Sequence, residues 1–319
     1  ISESKPDSTL VNEAEAGELL PPSPSDIKEN IKQKFLVEMP EDFYCFWEFC
    51  KSLNSTNPSE ALKDSLDLQL VGPFELLDNN RNFKPNKLED YLTRWRYYYD
   101  PPEFQTVITG DQTKGYHLGY FRDSPDDMPV FVGSNVESTN CIINPIGDNL
   151  FAALIAVITE RIKKANPFDK TKLTSLKKEV EKWATDQNIS VILPGSHAKD
   201  RKKKVVAKTF YHCGIVVPVN KKTKVGYREI PESESNLKKI CKKISECIDE
   251  SERNKYSDQL QQLVTYVQYA NDELDYGMGL ELGLDLLAYG GSEFHSTILH
   301  LLGVAYELLE RQTFATILK

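Results

Sequence analysis

The segment Ala270-Asn271-Asp272-Glu273-Leu274-Asp275-Tyr276 crowds three carboxylates into a few positions. It follows Leu260, Leu263, Val264 and Val267, which repeat at helical spacing, so the acids fall at a helix carboxyl end. There they meet the negative pole of the helix dipole and one another, and no Lys or Arg stands within the following ten residues to compensate. Sequences break local rules of this kind where function requires it, and the crowding raises a carboxylate's pKa toward the range useful to a general base. A solvated acidic turn accounts for the same residues, and residue types alone do not separate the two readings.

A second candidate is Val225-Gly226-Tyr227-Arg228-Glu229-Ile230-Pro231, where Tyr227 and Arg228 open a proline-marked loop. Tyr and Arg dominate interface hot spots, and Arg grips a carboxylate with two parallel bonds. The plain alternative is a surface Arg228 bonded to Glu229 or Glu232. A third, Lys199-Asp200-Arg201-Lys202-Lys203-Lys204, reads equally as an import signal, a phosphate-contacting patch or a solvated loop. Gly277, Gly279 and Gly283 have the look of a dinucleotide loop, but the last is one position too far on and a helix precedes them; they are expected to end a helix and turn. No G-x-x-x-x-G-K-[ST], H-E-x-x-H or G-x-S-x-G is present, so no NAD site is expected in this chain. The cysteines, Cys45, Cys50, Cys141, Cys213, Cys241 and Cys247, show neither metal-ligand spacing nor a disulfide framework, and reduced thiols are expected.

These residues must be positioned by 319 residues of ordinary globular composition, 40% apolar and 27% charged. Lys plus Arg numbers 39 against 48 acids, and the net charge of −9 argues against a protein that coats nucleic acid over its whole surface. The longest apolar run, Leu150 to Ile158, is too short to span a bilayer, and no membrane association is expected. Residues 1–25, with four prolines and five acids, read as a disordered tail. Helical periodicity then runs through Ile27, Ile31 and Phe35, and again from Phe43 to Cys50. Leu68 to Leu77 and Tyr116 to Ile143 carry short β-rich runs that predict an antiparallel sheet. Asn149 caps a predicted helix from Leu150 to about Lys164, which Asn166-Pro167 stops. A strand pair is expected around Val205 to Val219, with helices at Leu237 to Ile248, Leu260 to Ala270 and Ser296 to Leu309. The fold class is α+β, in two domains that each mix antiparallel strands and packed helices, 26–166 and 167–319, the second carrying the candidate residues.

Four strings carry a resemblance: Tyr98-Tyr99-Asp100-Pro101-Pro102-Glu103-Phe104-Gln105, Gly119-Tyr120-Phe121-Arg122-Asp123-Ser124-Pro125, Gly226-Tyr227-Arg228-Glu229, and Ala270 to Gly283. Together they resemble the histone PARylation factor family, from about Phe43 to the end of the chain. The resemblance implies a nuclear accessory protein, acting on chromatin at DNA damage sites, that docks on the catalytic domain of DNA-damage-activated poly(ADP-ribose) polymerases. It implies serine-linked ADP-ribose on histones as the product, a monomeric accessory chain that binds no cofactor, and NAD held by the polymerase. Position by position, Glu273 matches the family's catalytic glutamate, Asp272 its neighbouring acidic contact, and Tyr227 and Arg228 the pair that anchors the polymerase. The chemistry is coherent, because a serine hydroxyl is neutral at pH 7 and needs a base, whereas a glutamate acceptor arrives ionised. Leu274 departs from the cysteine found in vertebrate members. A chromatin adaptor that only recruits substrate would use Tyr227, Arg228 and the lysine run and have no need of Glu273. An autonomous hydrolase using Asp272 with Glu273 is poorly served by neighbours that point about 100° apart on a helix.

Overall fold

A computed structural model of the chain describes residues 20–78, 83, 85–193 and 195–319. Most of the tail expected over residues 1–25 therefore lies outside the described residues; Leu20 donates its backbone N–H to Asn86 at 3.0 Å. The amino-terminal helices are α1 (Ile27–Phe35), α2 (Glu41–Leu53), α3 (Lys63–Leu66) and α4 (Leu88–Leu92). Asp26 caps α1 through Glu29 N, and α2 turns Phe43, Phe46, Trp47, Phe49 and Cys50 inward, as the aromatic periodicity predicts.

Five strands, β1 (Gln69–Leu70), β2 (Phe104–Thr109), β3 (Tyr116–Phe121), β4 (Phe131–Val136) and β5 (Asn144–Gly147), form one antiparallel sheet in sequence order. The stretch at Leu68 to Leu77 is mostly a 3-10 turn over Gly72–Leu76, with Pro73 early in it, and contributes only the short β1. Period-two alternation sends Phe104, Phe121 and Phe131 to one face and Leu118, Tyr120 and Val132 to the other. Each face is the floor of a hydrophobic core. One core is closed by α1, α2, α5 (Leu150–Lys164) and α6 (Pro167–Asp186). The other is closed by α8 (Glu234–Glu246), α9 (Glu250–Asp272), α10 (Gly277–Tyr289), α11 (His295–Leu308) and α12 (Gln312–Leu318). Between them α7 (Ser196–Lys202) leads into a loop region.

Asn149 accepts from Ala152 N and starts α5 where the sequence places it. Asn166 both ends α5 and caps α6, with Pro167 in the first turn, where its missing N–H is harmless. Two expectations need correction. The strand pair around Val205 to Val219 reduces to a single bridge, Ala207 to Ile215, because the chain turns at His212 and Gly214 with positive φ. Gly277, Gly279 and Gly283 do not turn the chain: they lie inside the buried helix α10. A Cβ on Gly279 would stand 3.0 Å from Val267 of α9, and one on Gly283 only 2.5 Å from Leu302 of α11. These glycines let three helices approach closely, a requirement that sequence spacing does not reveal.

Candidate functional site

Helix α9 ends in a tight hydrogen-bonded motif that holds the acidic segment. Glu273 is the C-cap, and Leu274 follows in the left-handed region at φ 67°. The N–H of Leu274 donates to Asn271 O at 3.0 Å and that of Asp275 to Ala270 O at 2.8 Å, the paired bonds of a Schellman end. Glycine usually occupies the left-handed position; here a leucine does, 55% exposed. The motif points Asp272 and Glu273 outward and turns Asp275 inward to 7% exposure.

The loop carrying Tyr227 and Arg228 is locked against this end. Asp275 accepts the Gly226 N–H at 2.8 Å, and Gly277 N donates to Gly226 O at 3.0 Å. Gly226 has φ 127°, and a Cβ there would meet Pro218 O at 2.1 Å, so only glycine fits. The upstream turn is closed by Asn220, whose N–H reaches Val225 O at 2.8 Å. Residues 45 positions apart are thereby set side by side. Arg228 forms an ion pair and hydrogen bond with the Glu273 carboxylate, and its Nη2 stands 3.1 Å from Asp275 Oδ2. Its partners are thus not Glu229 or Glu232. The compensating charge that local sequence lacked arrives through tertiary structure. Arg228 and Glu273 remain 42% and 63% exposed, so the pair is screened and within reach of a partner. Asp272 is exposed and, among the described residues, has no bonded partner.

Tyr227 is half-buried, and its hydroxyl donates to Glu281 Oε2 at 2.9 Å. Glu281 was not singled out from the sequence, although an acid at that place in Met278 to Leu287, with Asp285 one turn on, is a signal in an otherwise apolar helix. Burial pushes the Glu281 carboxyl up to about 7, against the pull of the Tyr227 hydrogen bond. Burial likewise pushes Asp285 up to about 8, although it accepts the Phe210 N–H at 2.8 Å. In both, desolvation is the main cause of the rise.

The lysine run begins in the last turn of α7 and continues past its end, and the structure divides its residues. Arg201 is withdrawn: it grips Asp123 with Nε and Nη2 at 2.9 and 2.7 Å and donates to Cys213 O and Gly214 O. Lys199, Lys202, Lys203 and Lys204 stay exposed, with Lys203 paired to Asp200. Among the described residues no three His, Cys, Asp or Glu side chains are placed to hold a metal, and no helix is long and apolar enough to cross a membrane.

A sequence model described as Histone PARylation factor 1 matches residues 26–319, extending the match upstream of Phe43 to include α1. Over 300 residues the chain is 46% identical to the mouse (Mus musculus) protein Histone PARylation factor 1, covering 92% of this chain and 86% of that one. The cattle (Bos taurus) protein of that name is 45% identical over 300 residues, 93% of this chain and 86% of the relative. The zebrafish (Danio rerio) protein is 44% identical over 298 residues, 92% and 84% of the respective chains.

Proposed function

The chain belongs to the Histone PARylation factor 1 family, and from that premise we propose that it is an accessory factor for ADP-ribosylation of histones. It docks on the catalytic domain of a DNA-damage-activated poly(ADP-ribose) polymerase in the nucleus and completes an active site that neither chain has alone. The polymerase holds NAD. Glu273 takes the proton of an acceptor serine as the serine oxygen attacks the anomeric carbon of the nicotinamide riboside. The bond to nicotinamide breaks, nicotinamide leaves, and ADP-ribose stays on serine. A base of this kind is worth about 10² to 10⁴ in rate.

The observation that carries this reading is the exposed contact of Arg228 with Glu273 and Asp275. It brings the Tyr227-Arg228 loop and Glu273 to one surface point, which supports a reading in which Arg228 has two states. In the free chain Arg228 neutralises the crowded acids. On docking it turns to a polymerase carboxylate, a bidentate charge-assisted contact, and leaves Glu273 uncovered where the acceptor arrives. Asp275 stays behind as the ligand of Gly226, and Asp272 offers a further acceptor to the polymerase. The same contact fits a second reading, an adaptor in which Glu273 merely steadies Arg228 for recruitment.

One experiment separates them. A damage-activated polymerase with NAD labels a histone-tail peptide or its Ser→Ala variant, with the chain added as wild type, Glu273→Ala or Arg228→Ala, while polymerase binding is measured in parallel. The expected result is serine labelling that falls at least 100-fold, the order of ~10² for a lost base, with Glu273→Ala at retained binding. Arg228→Ala lowers labelling through lost binding. Unchanged labelling with Glu273→Ala leaves the adaptor.

A further inference from the structure

Tyr227 meets the amino end of α10 in a fitted seat. The Gly277 N–H donates to Gly226 O at 3.0 Å, which lays the loop across that end. A Cβ on Gly277 would stand 3.0 Å from Tyr227 Cδ2 and 2.9 Å from Val217 Cγ2, so a side chain there would push the ring or the valine aside. Glu281 follows one turn on, on the same helix face, and accepts from the Tyr227 hydroxyl at 2.9 Å. The ring therefore lies along the helix over a span of about 6 Å, from the glycine to the acid. Glu281 is an odd residue for this place. From Gly277 to Tyr289 the only other charged side chain is Asp285, which serves the Phe210 N–H. Among the described residues Tyr227 is the sole hydrogen-bond partner of Glu281, no basic group compensates its burial, and Glu229 of the loop adds a like charge. A half-buried acid without a cation costs stability, and such a cost at a binding loop marks a requirement of that loop. The bond also has a direction. With its proton committed to Glu281, the Tyr227 hydroxyl offers outward only an oxygen lone pair beside the ring.

We propose that Glu281 is a positioning residue for polymerase docking: it holds the Tyr227 ring on Gly277, so that the polymerase receives a preset ring surface and, at the phenolic oxygen, an acceptor and no donor. The proposal rests on the reading of the Tyr227-Arg228 loop as the polymerase anchor. A ring fixed before contact spares docking the cost of ordering it, and a ring seated only part of the time lowers the apparent affinity by that fraction. The pair also sets what the polymerase places beside Tyr227, a hydrogen-bond donor or an apolar wall, next to the carboxylate that receives Arg228. Removing one member of the pair leaves the other unsatisfied and drawn to water, whereas removing both leaves two apolar groups that pack.

The test is a double-mutant cycle in the affinity of the full chain for a damage-activated polymerase, measured at pH 8, where Glu281, with its carboxyl at about 7, is mostly ionised. Glu281→Leu suits a half-buried helix position, and Tyr227→Phe keeps the ring. Each single variant is expected to bind about three- to tenfold more weakly. The variant with both changes recovers to within about twofold of wild type, and so does Glu281→Gln, which retains an acceptor oxygen. Melting curves check that every variant is folded. A double variant as weak as the product of the single losses overturns the hold, because the hydroxyl would then serve the polymerase directly. Glu281→Leu at wild-type affinity overturns it too, as does Glu281→Gln no stronger than Glu281→Leu. Tyr227→Ala separates the hold from the reading beneath it. Affinity unchanged there and in Arg228→Ala is a failure of the docking reading itself, whereas affinity lost there and intact in Glu281→Leu is a failure of the hold alone.

Discussion

At the residue scale, the acids of the site divide by burial into those that face solvent and those that hold the scaffold. Asp272 and Glu273 are exposed; Asp275, Glu281 and Asp285 each accept a hydrogen bond that fixes a neighbouring backbone or ring. Asp285 gives the sharpest prediction. Its carboxyl titrates at about 8 in the fold and near 3.8 in an unfolded chain. Below about pH 4 both states hold the proton, and the group adds no pH dependence. Between about 4 and 8 the unfolded chain releases the proton and the folded chain keeps it, so stability falls as pH rises, by up to about 1.4 kcal/mol per unit. Glu281 and Glu103, both raised to about 7 by burial, act in the same direction. Asp285→Asn keeps an acceptor for Phe210 N–H and removes the ionisation. Denaturant midpoints at pH 5, 7 and 8.5 are expected to show a shallower decline for the variant than for the wild type. Equal slopes would exclude Asp285 as a source.

At the scale of elements, the carboxyl end of α9 decides where Glu273 points. Its Schellman end needs a left-handed residue at position 274, a conformation that costs an L-residue about 1 kcal/mol. Leu274→Gly relieves that cost, partly offset by the freer unfolded chain, whereas a β-branched residue is strained further there. The expected order of thermal stability is Gly at least equal to Leu, with Leu274→Val lower by about 1 kcal/mol. Melting curves of the three proteins check it, and a Val variant as stable as wild type would mean that the turn is not strained. The glycines of α10 show the complementary limit of local reading. They have the composition of a turn, yet Val267 stands tight against Gly279 and Leu302 so close to Gly283 that a side chain there would force it to shift, and packing overrides the helix propensity they lack.

At the scale of the whole molecule, the sheet is shared by two cores, and long-range polar contacts tie helices to segments distant in sequence. Tyr306 of α11 donates to the buried Glu103 carboxylate at 2.9 Å across 203 residues, and Arg311 reaches Val216 O at 2.8 Å. Arg201 is the most demanding of these ties, since a planar fork satisfies Asp123 and two carbonyls at once. Arg201→Ala empties a buried site and leaves the partly buried Asp123 carboxylate without its partner, and a loss of up to about 3 kcal/mol in denaturant unfolding is expected. Arg201→Lys restores charge but not the fork and recovers only part of it; full recovery would show that charge alone matters. The sequence by itself determined the helices with strong apolar periodicity and good caps, such as α1 and α5, because those signals are local. It also marked the acidic end of α9 and the Tyr227-Arg228 loop as unusual, since a broken local rule is visible without a fold. Only the tertiary structure decided that Arg228 answers Glu273, that Asp275 and Glu281 hold the loop and its tyrosine, and that Arg201 lies buried apart from the lysines around it. Each of those outcomes depends on which distant segments share a core, and burial, which sets both the pairing and the proton affinity of an acid, is a property of the packed chain.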